Sequence, residues 1–230
     1  QPAQASESSS PAPAHPGYAE LYSRSNFSFL RGASFPEELV ARAHELGYSA
    51  LALCDECSLS GVVRAHVAAK ECGLKLIIGA ELRLRETGSV GGTVVPLTLV
   101  LLARNRRGYG QLSHLISCAR RAAVKGEYWV DREMVETNLP SDCFALWLPP
   151  IDSASAEQLA SQATWLGRLF GESLRIGVRL HLRGNDSGRV RRLRALGERF
   201  GIRLCAAGGA LMHDASRRVL LDTLTAVRPR

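Results

Sequence analysis

Short, uninterrupted apolar runs recur along this chain, each followed by a stretch of helical period, and that alternation leaves few architectures open. ALALC (50–54), LTLVLLA (97–103) and CFALWL (143–148) place apolar residues at consecutive positions. Such runs suit strands covered on both faces rather than strands with one wet side. KLIIGAEL (75–82), residues 174–182, residues 203–207 and an opening strand near Tyr18 complete a set of seven. Between them the spacing predicts helices over 36–46, 59–72, 109–123, 156–170, 187–200 and 215–227, with a short one near 131–136. Gly47 and Gly73 stop the first two, and glycines 88, 91 and 92 mark a hairpin-like excursion. Strands alternating with helices predict a parallel sheet, which the right-handed crossover rule builds as a doubly wound sheet or a closed barrel. No glycine-rich phosphate loop joins a strand to a helix, which removes the commonest reason to choose a nucleotide-binding open sheet.

Tyr18 to Gly32, YAELYSRSNFSFLRG, is the first strand and the loop after it. Ser34 is the expected helix cap, with Glu37 returning the hydrogen bond. Residues just past a strand's carboxyl end face the common pocket in a β/α unit. Tyr22, Ser23, Arg24 and Arg31 are therefore the first candidates for chemistry, although none is a good divalent-metal ligand. Ahead of this unit, residues 1–17 are Pro-, Ala- and Ser-rich with almost no hydrophobic bulk. They are expected to be a disordered tail, His15 included, in front of one domain over 18–230.

The formal charge is +7, and of 29 basic residues only Lys70, Lys75 and Lys125 are lysine. Arginine suits phosphates and carboxylates through its planar fork, but charge this dispersed reads first as solvated helix faces. RVRRLRALGERF (189–200) is the densest basic run, and on a helix it alternates between faces. Six cysteines lie scattered through strands and helices and read as reduced cytosolic thiols. Cys54-x-x-Cys57 has zinc-knuckle spacing without a second pair. No run reaches the roughly 18 to 20 apolar residues of a membrane span, so a soluble, cytoplasmic protein is expected.

Polar residues collect at the strand ends: Tyr22, Arg24 and Arg31 after the first, Asp55 and Glu56 after the second, Glu81 at the third, Arg179 and His181 in the sixth, and Gly209 to His213 after the seventh. Carboxylates and arginines thus converge on one pocket that lacks the histidines of a hydrolytic metal centre. His44, His66 and His114 sit at helical positions and read as surface or packing residues.

SNFSFLRGAS (25–34), DECSLSGVVRAH (55–66), GLKLIIGAEL (73–82), LLARNRRGYGQLSHLIS (101–117), KGEY (125–128) and DTLTAVR (222–228) together resemble the polymerase and histidinol phosphatase (PHP) domains at the amino terminus of bacterial C-family DNA polymerases. Within that family the likeness is to the error-prone, damage-inducible paralogues of the replicative alpha subunit. The resemblance implies a distorted (β/α)7 barrel, and metal-competent members carry His-x-His on the first strand, where this chain has Tyr22 and Arg24. Arg31 stands where an acidic ligand often follows, and Glu56 where a histidine follows the retained Asp55. Glu81 keeps the third-strand acid, a fourth-strand histidine falls at about Thr98, and the last Asp-x-His reads Gly209-Ala210-Leu211.

The resemblance therefore implies a vestigial pocket with no metal or other cofactor, in a non-catalytic domain of a translesion polymerase whose catalytic carboxylates lie elsewhere. Implied partners are the remaining polymerase domains in cis, DNA through the whole protein, accessory mutagenesis proteins and the sliding clamp, with no membrane. An active metal-dependent phosphoesterase or 3′–5′ exonuclease is the alternative, and an adaptor binding nucleic acid through residues 189–200 a third. Crowded carboxylates without a dication need positive partners. Arg24, with Arg31 or Arg179, is expected to lie within salt-bridge distance of Asp55 or Glu81.

Overall fold

All seven expected strands form, and they lie in chain order in a single sheet. The structure is a computed structural model describing residues 17–85, 95–180, 182 and 184–228. The tail with His15, the glycine-marked excursion and His181 lie outside the described residues. The elements are β1 (Ala19–Ser23), α1 (Pro36–Glu45), β2 (Ala50–Glu56), α2 (Val62–Cys72), β3 (Lys75–Leu84), β4 (Leu97–Ala103), α3 (Arg106–Arg121), α4 (Arg132–Thr137), β5 (Cys143–Trp147), α5 (Ala156–Phe170), β6 (Leu174–Val178), α6 (Asp186–Phe200), β7 (Leu204–Ala206) and α7 (Arg218–Val227).

The sheet curls into a nearly closed barrel. Past β7, Ala210 bridges to Ser23 in parallel register. The Arg24 amide donates to the Ala210 carbonyl at 2.9 Å, and the Ala210 amide to the Tyr22 carbonyl at 3.1 Å. Tyr22, Ala52, Cys54, Val100, Leu102, Leu146, Leu148 and Ala207 fill the interior. Because side chains alternate along a strand, the intervening residues face outward under the helices. Leu51 and Leu53 pack against α1 and α2, while Leu82, Leu99, Leu101 and Trp147 pack in the cluster containing residues of α3 to α6. Cys54 and Cys57 are both buried, and burial raises both thiols.

The wholly parallel sheet is corrected: β4 runs antiparallel to both β3 and β5. Leu84 pairs with Leu97, and antiparallel neighbours of this kind do not require a crossover connection. Further differences are local. Phe35 rather than Ser34 occupies the N-cap of α1, and its amide donates to Glu38 at 2.8 Å. The Ser34 hydroxyl instead accepts from the His213 amide at 2.9 Å and meets His213 Nδ1 at 2.7 Å. The helix expected from residue 59 begins at Val62, behind Gly61. Helix α3 begins at Arg106, three residues ahead of the expected start, with Asn105 as its cap accepting from Gly108 N at 2.9 Å. Strand β6 stops at Val178, four residues short of the expected end.

Candidate functional site

Glu56 and Glu81 are register partners at the carboxyl ends of β2 and β3. Counting by two from the interior residues Cys54 and Ile77 puts both on the inner row, together with Arg83. Tyr22 and Arg24 reach the same place from β1. Glu81 is fully buried, and both its oxygens are taken. Oε2 accepts the Tyr22 hydroxyl and pairs with Arg24 Nη1 at 3.0 Å, while Oε1 accepts from Arg83 Nε at 2.8 Å. Glu56 accepts the Tyr128 hydroxyl at 2.9 Å and pairs with Arg31, and Arg83 Nε lies 3.6 Å from its Oε1.

Arg24 thus meets Glu81 as expected, but neither Arg31 nor Arg179 meets Glu81 or Asp55. Arg31 is held by Glu56. Arg179, just past β6, lies with its guanidinium carbon 5.9 Å from the Tyr22 ring centroid, and Arg24 lies 5.4 Å from the same centroid. Gly209 passes beneath: a Cβ there would meet Arg179 Cδ at 3.2 Å and the Tyr22 ring at 3.4 Å. Leu211 contributes its carbonyl, which accepts from Ala33 N at 2.8 Å.

Asp55 does not converge on this cluster. It is one residue out of phase with Glu56 and turns instead to the loop between β1 and α1. There it accepts from Ser25 N at 2.8 Å, Ser25 Oγ at 2.7 Å and Ser28 Oγ at 2.7 Å. Ser28 Oγ also accepts from Glu56 N at 2.9 Å, so the loop is tied to the end of β2. Thr98 sits in the inner row of β4 as register partner of Arg83. His213 is tied to Ser34, and His44, His66 and His114 are exposed.

The missed participants are Arg83, Tyr128, Ser25 and Ser28. Arg83 is two residues past Glu81 on the same strand, a spacing that does signal a shared face. The two serines carried no comparable mark.

Electrostatics follow this division. Burial pushes the Glu81 carboxyl up, but Arg24 and Arg83 and the Tyr22 and Arg83 hydrogen bonds outweigh it, leaving it below the ordinary carboxylate range. Burial likewise raises Asp55, and its serine hydrogen bonds only partly offset the rise. Linkage then gives opposite signs. The Glu81 contribution is present above its unfolded value of about 4.3 and is lost as pH falls through its lower folded value. Asp55 holds its proton more tightly when folded, so its contribution grows as pH falls below its raised folded value. Urea midpoints between about pH 3 and 6 are expected to show a shallower acid loss in Glu81→Gln and a steeper one in Asp55→Asn. Parallel profiles in the two variants would contradict these assignments.

A dication does not fit this donor set. Tyr22 and Arg24 bring a phenol and a guanidinium rather than metal ligands, both Glu81 oxygens are engaged by two hydrogen-bond donors and the Arg24 ion pair, and Glu56 is engaged by two arginines and a phenol. Among the described residues, no group of three or more His, Cys, Asp or Glu side chains is arranged to hold a metal. No helix among them is long and apolar enough to cross a membrane.

Comparison with known proteins gives a consistent picture. The PHP domain family model matches residues 20–163. Polymerases named error-prone DNA polymerase are similar along most of the chain. The Methylococcus capsulatus protein is 52% identical over 92% of this chain, and that of Alkalilimnicola ehrlichii 51% identical over 93%. The chain spans about a fifth of the length of these relatives, 19% in each case. Among solved structures, a Bifidobacterium adolescentis protein described as a metal-dependent phosphoesterase superposes with TM-score 0.61 at 14% identity, covering 91% of this chain and 97% of that one. A Chromobacterium violaceum amidohydrolase with bound sulfate and no metal gives 0.58 at 15% identity, covering 85% of this chain and 88% of that one. At these identities the likeness is one of fold.

Proposed function

Since this chain belongs to the PHP domain family, we propose that it is a non-catalytic member of it, serving a longer error-prone DNA polymerase as a structural unit. The observation that carries this is the occupation of Glu81. The acid retained at the third-strand position is clamped by Arg24, Arg83 and Tyr22, so cationic side chains supply the charge that dications supply in metal-dependent relatives. Positive groups that are part of the fold neutralise the pocket permanently and offer no open coordination position for a water or a phosphoryl oxygen. The proposal extends to the whole protein: template-directed DNA synthesis across lesions during damage-induced mutagenesis and repair, in the cytoplasm. The polymerase carboxylates would lie in other domains in cis, and DNA, the sliding clamp and accessory mutagenesis proteins would be reached through the whole assembly.

Hydrolysis of p-nitrophenyl phosphate and of the 3′ end of single-stranded DNA, assayed with added Mn²⁺ or Zn²⁺, tests the inactivity. Neither is expected above background. The Tyr22→His/Arg24→His double variant is expected to fail too, because Arg83 still holds Glu81, Arg31 still holds Glu56, and a metal site needs its ligands and their supports together. Turnover by the wild-type chain, or its appearance in the double variant, would overturn the non-catalytic reading.

A further inference from the structure

The end of the barrel where β6, β7 and β1 finish carries apolar side chains that nothing among the described residues covers. Helix α7 is ten residues long and none of its residues is buried. Val219 is 76% exposed and Val227 61%, and Leu220 is also exposed. A helix this short is marginal in water without tertiary packing. Its start is nevertheless fixed, by Arg217 on Glu38 at 2.6 Å and by the Asp214 carboxylate accepting from Ser216 N at 2.9 Å. Arg228, one residue beyond its end, is near enough to Arg31 to repel that guanidinium. The helix is therefore held at its start near α1, and the segment leading into it is tied to the loop between β1 and α1 by Ala33 N donating to the Leu211 carbonyl at 2.8 Å.

That loop displays Phe29 at 82% exposure. It is pinned from beneath: Ser28 holds Asp55, Arg31 holds Glu56, and the Arg31 amide donates to the Ser28 carbonyl at 2.9 Å. Leu30 beside it takes a positive φ of 57°, which a branched side chain rarely adopts. Past β6, Leu180 and Leu182 are exposed as well. These features follow β6, β7 and β1, which are neighbours around the barrel because β7 leads to the Ala210 bridge with β1. Arg31 and Arg179 follow two of the same strands, β1 and β6.

We propose that this rim, centred on Phe29, Val219, Leu220 and Val227, is the docking surface for the rest of the polymerase polypeptide, which meets it with an apolar patch edged by carboxylates. The inference rests on the polymerase reading above. It commits to that occupant because relatives about half identical to this chain are about five times its length, and because an acidic edge complements Arg31 and Arg179 past the strand ends and Arg228 past the end of α7. Exposed large apolar side chains grouped on neighbouring elements mark an interface.

The test compares hydrogen–deuterium exchange in the 230-residue chain with exchange in a chimera where it replaces the matching segment of the Methylococcus capsulatus polymerase. Amides of 27–32 and 218–227 are expected to slow by at least about tenfold in the chimera. A Phe29→Ser/Val219→Ser/Val227→Ser variant is expected to reverse that slowing while leaving the melting of the isolated chain nearly unchanged, since these side chains are largely uncovered in it. New protection confined to other faces would overturn the docking surface and leave the polymerase reading standing. No new protection anywhere would count against both. Rim protection that rises with concentration of the isolated chain would assign the face to a second copy. Protection by a DNA oligonucleotide alone would assign it to nucleic acid. Either result would overturn the proposal.

Discussion

Arg24→Ala is expected to destabilise the chain by about 3 to 5 kcal/mol, the usual cost of removing one partner from a buried ion pair. Arg24 is 8% exposed, and the Glu81 it leaves behind is completely buried. For a chain of this size the Tm is expected to fall by roughly 6 to 20 °C. Arg192 is the control: its side chain is 54% exposed and pairs with Asp152 on the surface, where such pairs contribute about 1 kcal/mol or less. Differential scanning calorimetry of the two alanine variants decides the matter. Equal melting would mean that Arg83 and Tyr22 suffice for Glu81 and that Arg24 adds nothing to the neutralisation.

A comparable loss is expected from Gly32→Ala, for a steric reason. A Cβ at Gly32 would lie 2.1 Å from the Ser25 carbonyl oxygen, 2.3 Å from its carbon and 2.9 Å from the Arg24 oxygen. All three are main-chain atoms, so no side chain can rotate aside and the loop itself must move. Overpacking of this kind costs about 1 to 3 kcal/mol, or more where the backbone shifts. Displacing Ser25 and Ser28 also strips hydrogen bonds from a buried carboxylate, at about 1 to 3 kcal/mol for each group left unsatisfied. Gly110→Ala on α3 has nothing within 4 Å of the new methyl and is expected to be neutral or slightly stabilising. Urea unfolding of both variants provides the measurement, and a Gly32→Ala midpoint equal to that of Gly110→Ala would refute the close-approach account.

The strands and most helices were legible because residue period reports burial directly. The extent of α5 matches its predicted range, with Ser155 capping it at Gln158. The direction of β4 was not legible, since a strand buried on both faces shows the same apolar run whether it pairs parallel or antiparallel. Helix α1 was expected to be capped by Ser34 and is capped at Phe35 instead. The choice depended on His213, 179 residues from Ser34, whose demand for a buried hydroxyl leaves no local trace. In the site, the pairing of Arg24 with Glu81 was readable by position. Grouping Asp55 with Glu56 and Glu81 failed because adjacent strand residues face opposite ways, a rule the sequence already contained. Counting two residues on from Glu81 would likewise have found Arg83. Ser25 and Ser28 could be recognised only once the loop had closed over Asp55.

The seam between β7 and β1 has a consequence for how this barrel assembles. Its bonds join Tyr22 and Arg24 to Ala210, Glu20 to Gly208, and Ala33 to Leu211, so each closes a loop of nearly the whole chain. The β3–β4–β5 meander pairs strands that follow one another in sequence. Because loop-closure entropy penalises distant contacts before they are rewarded, the meander is expected to form early and the seam last. Arg24, Glu81 and Arg83 sit on the β1–β3 side of that seam. A barrel that parts between β1 and β7 can therefore keep its charge cluster assembled, and the first local opening on the way to unfolding need not expose Glu81.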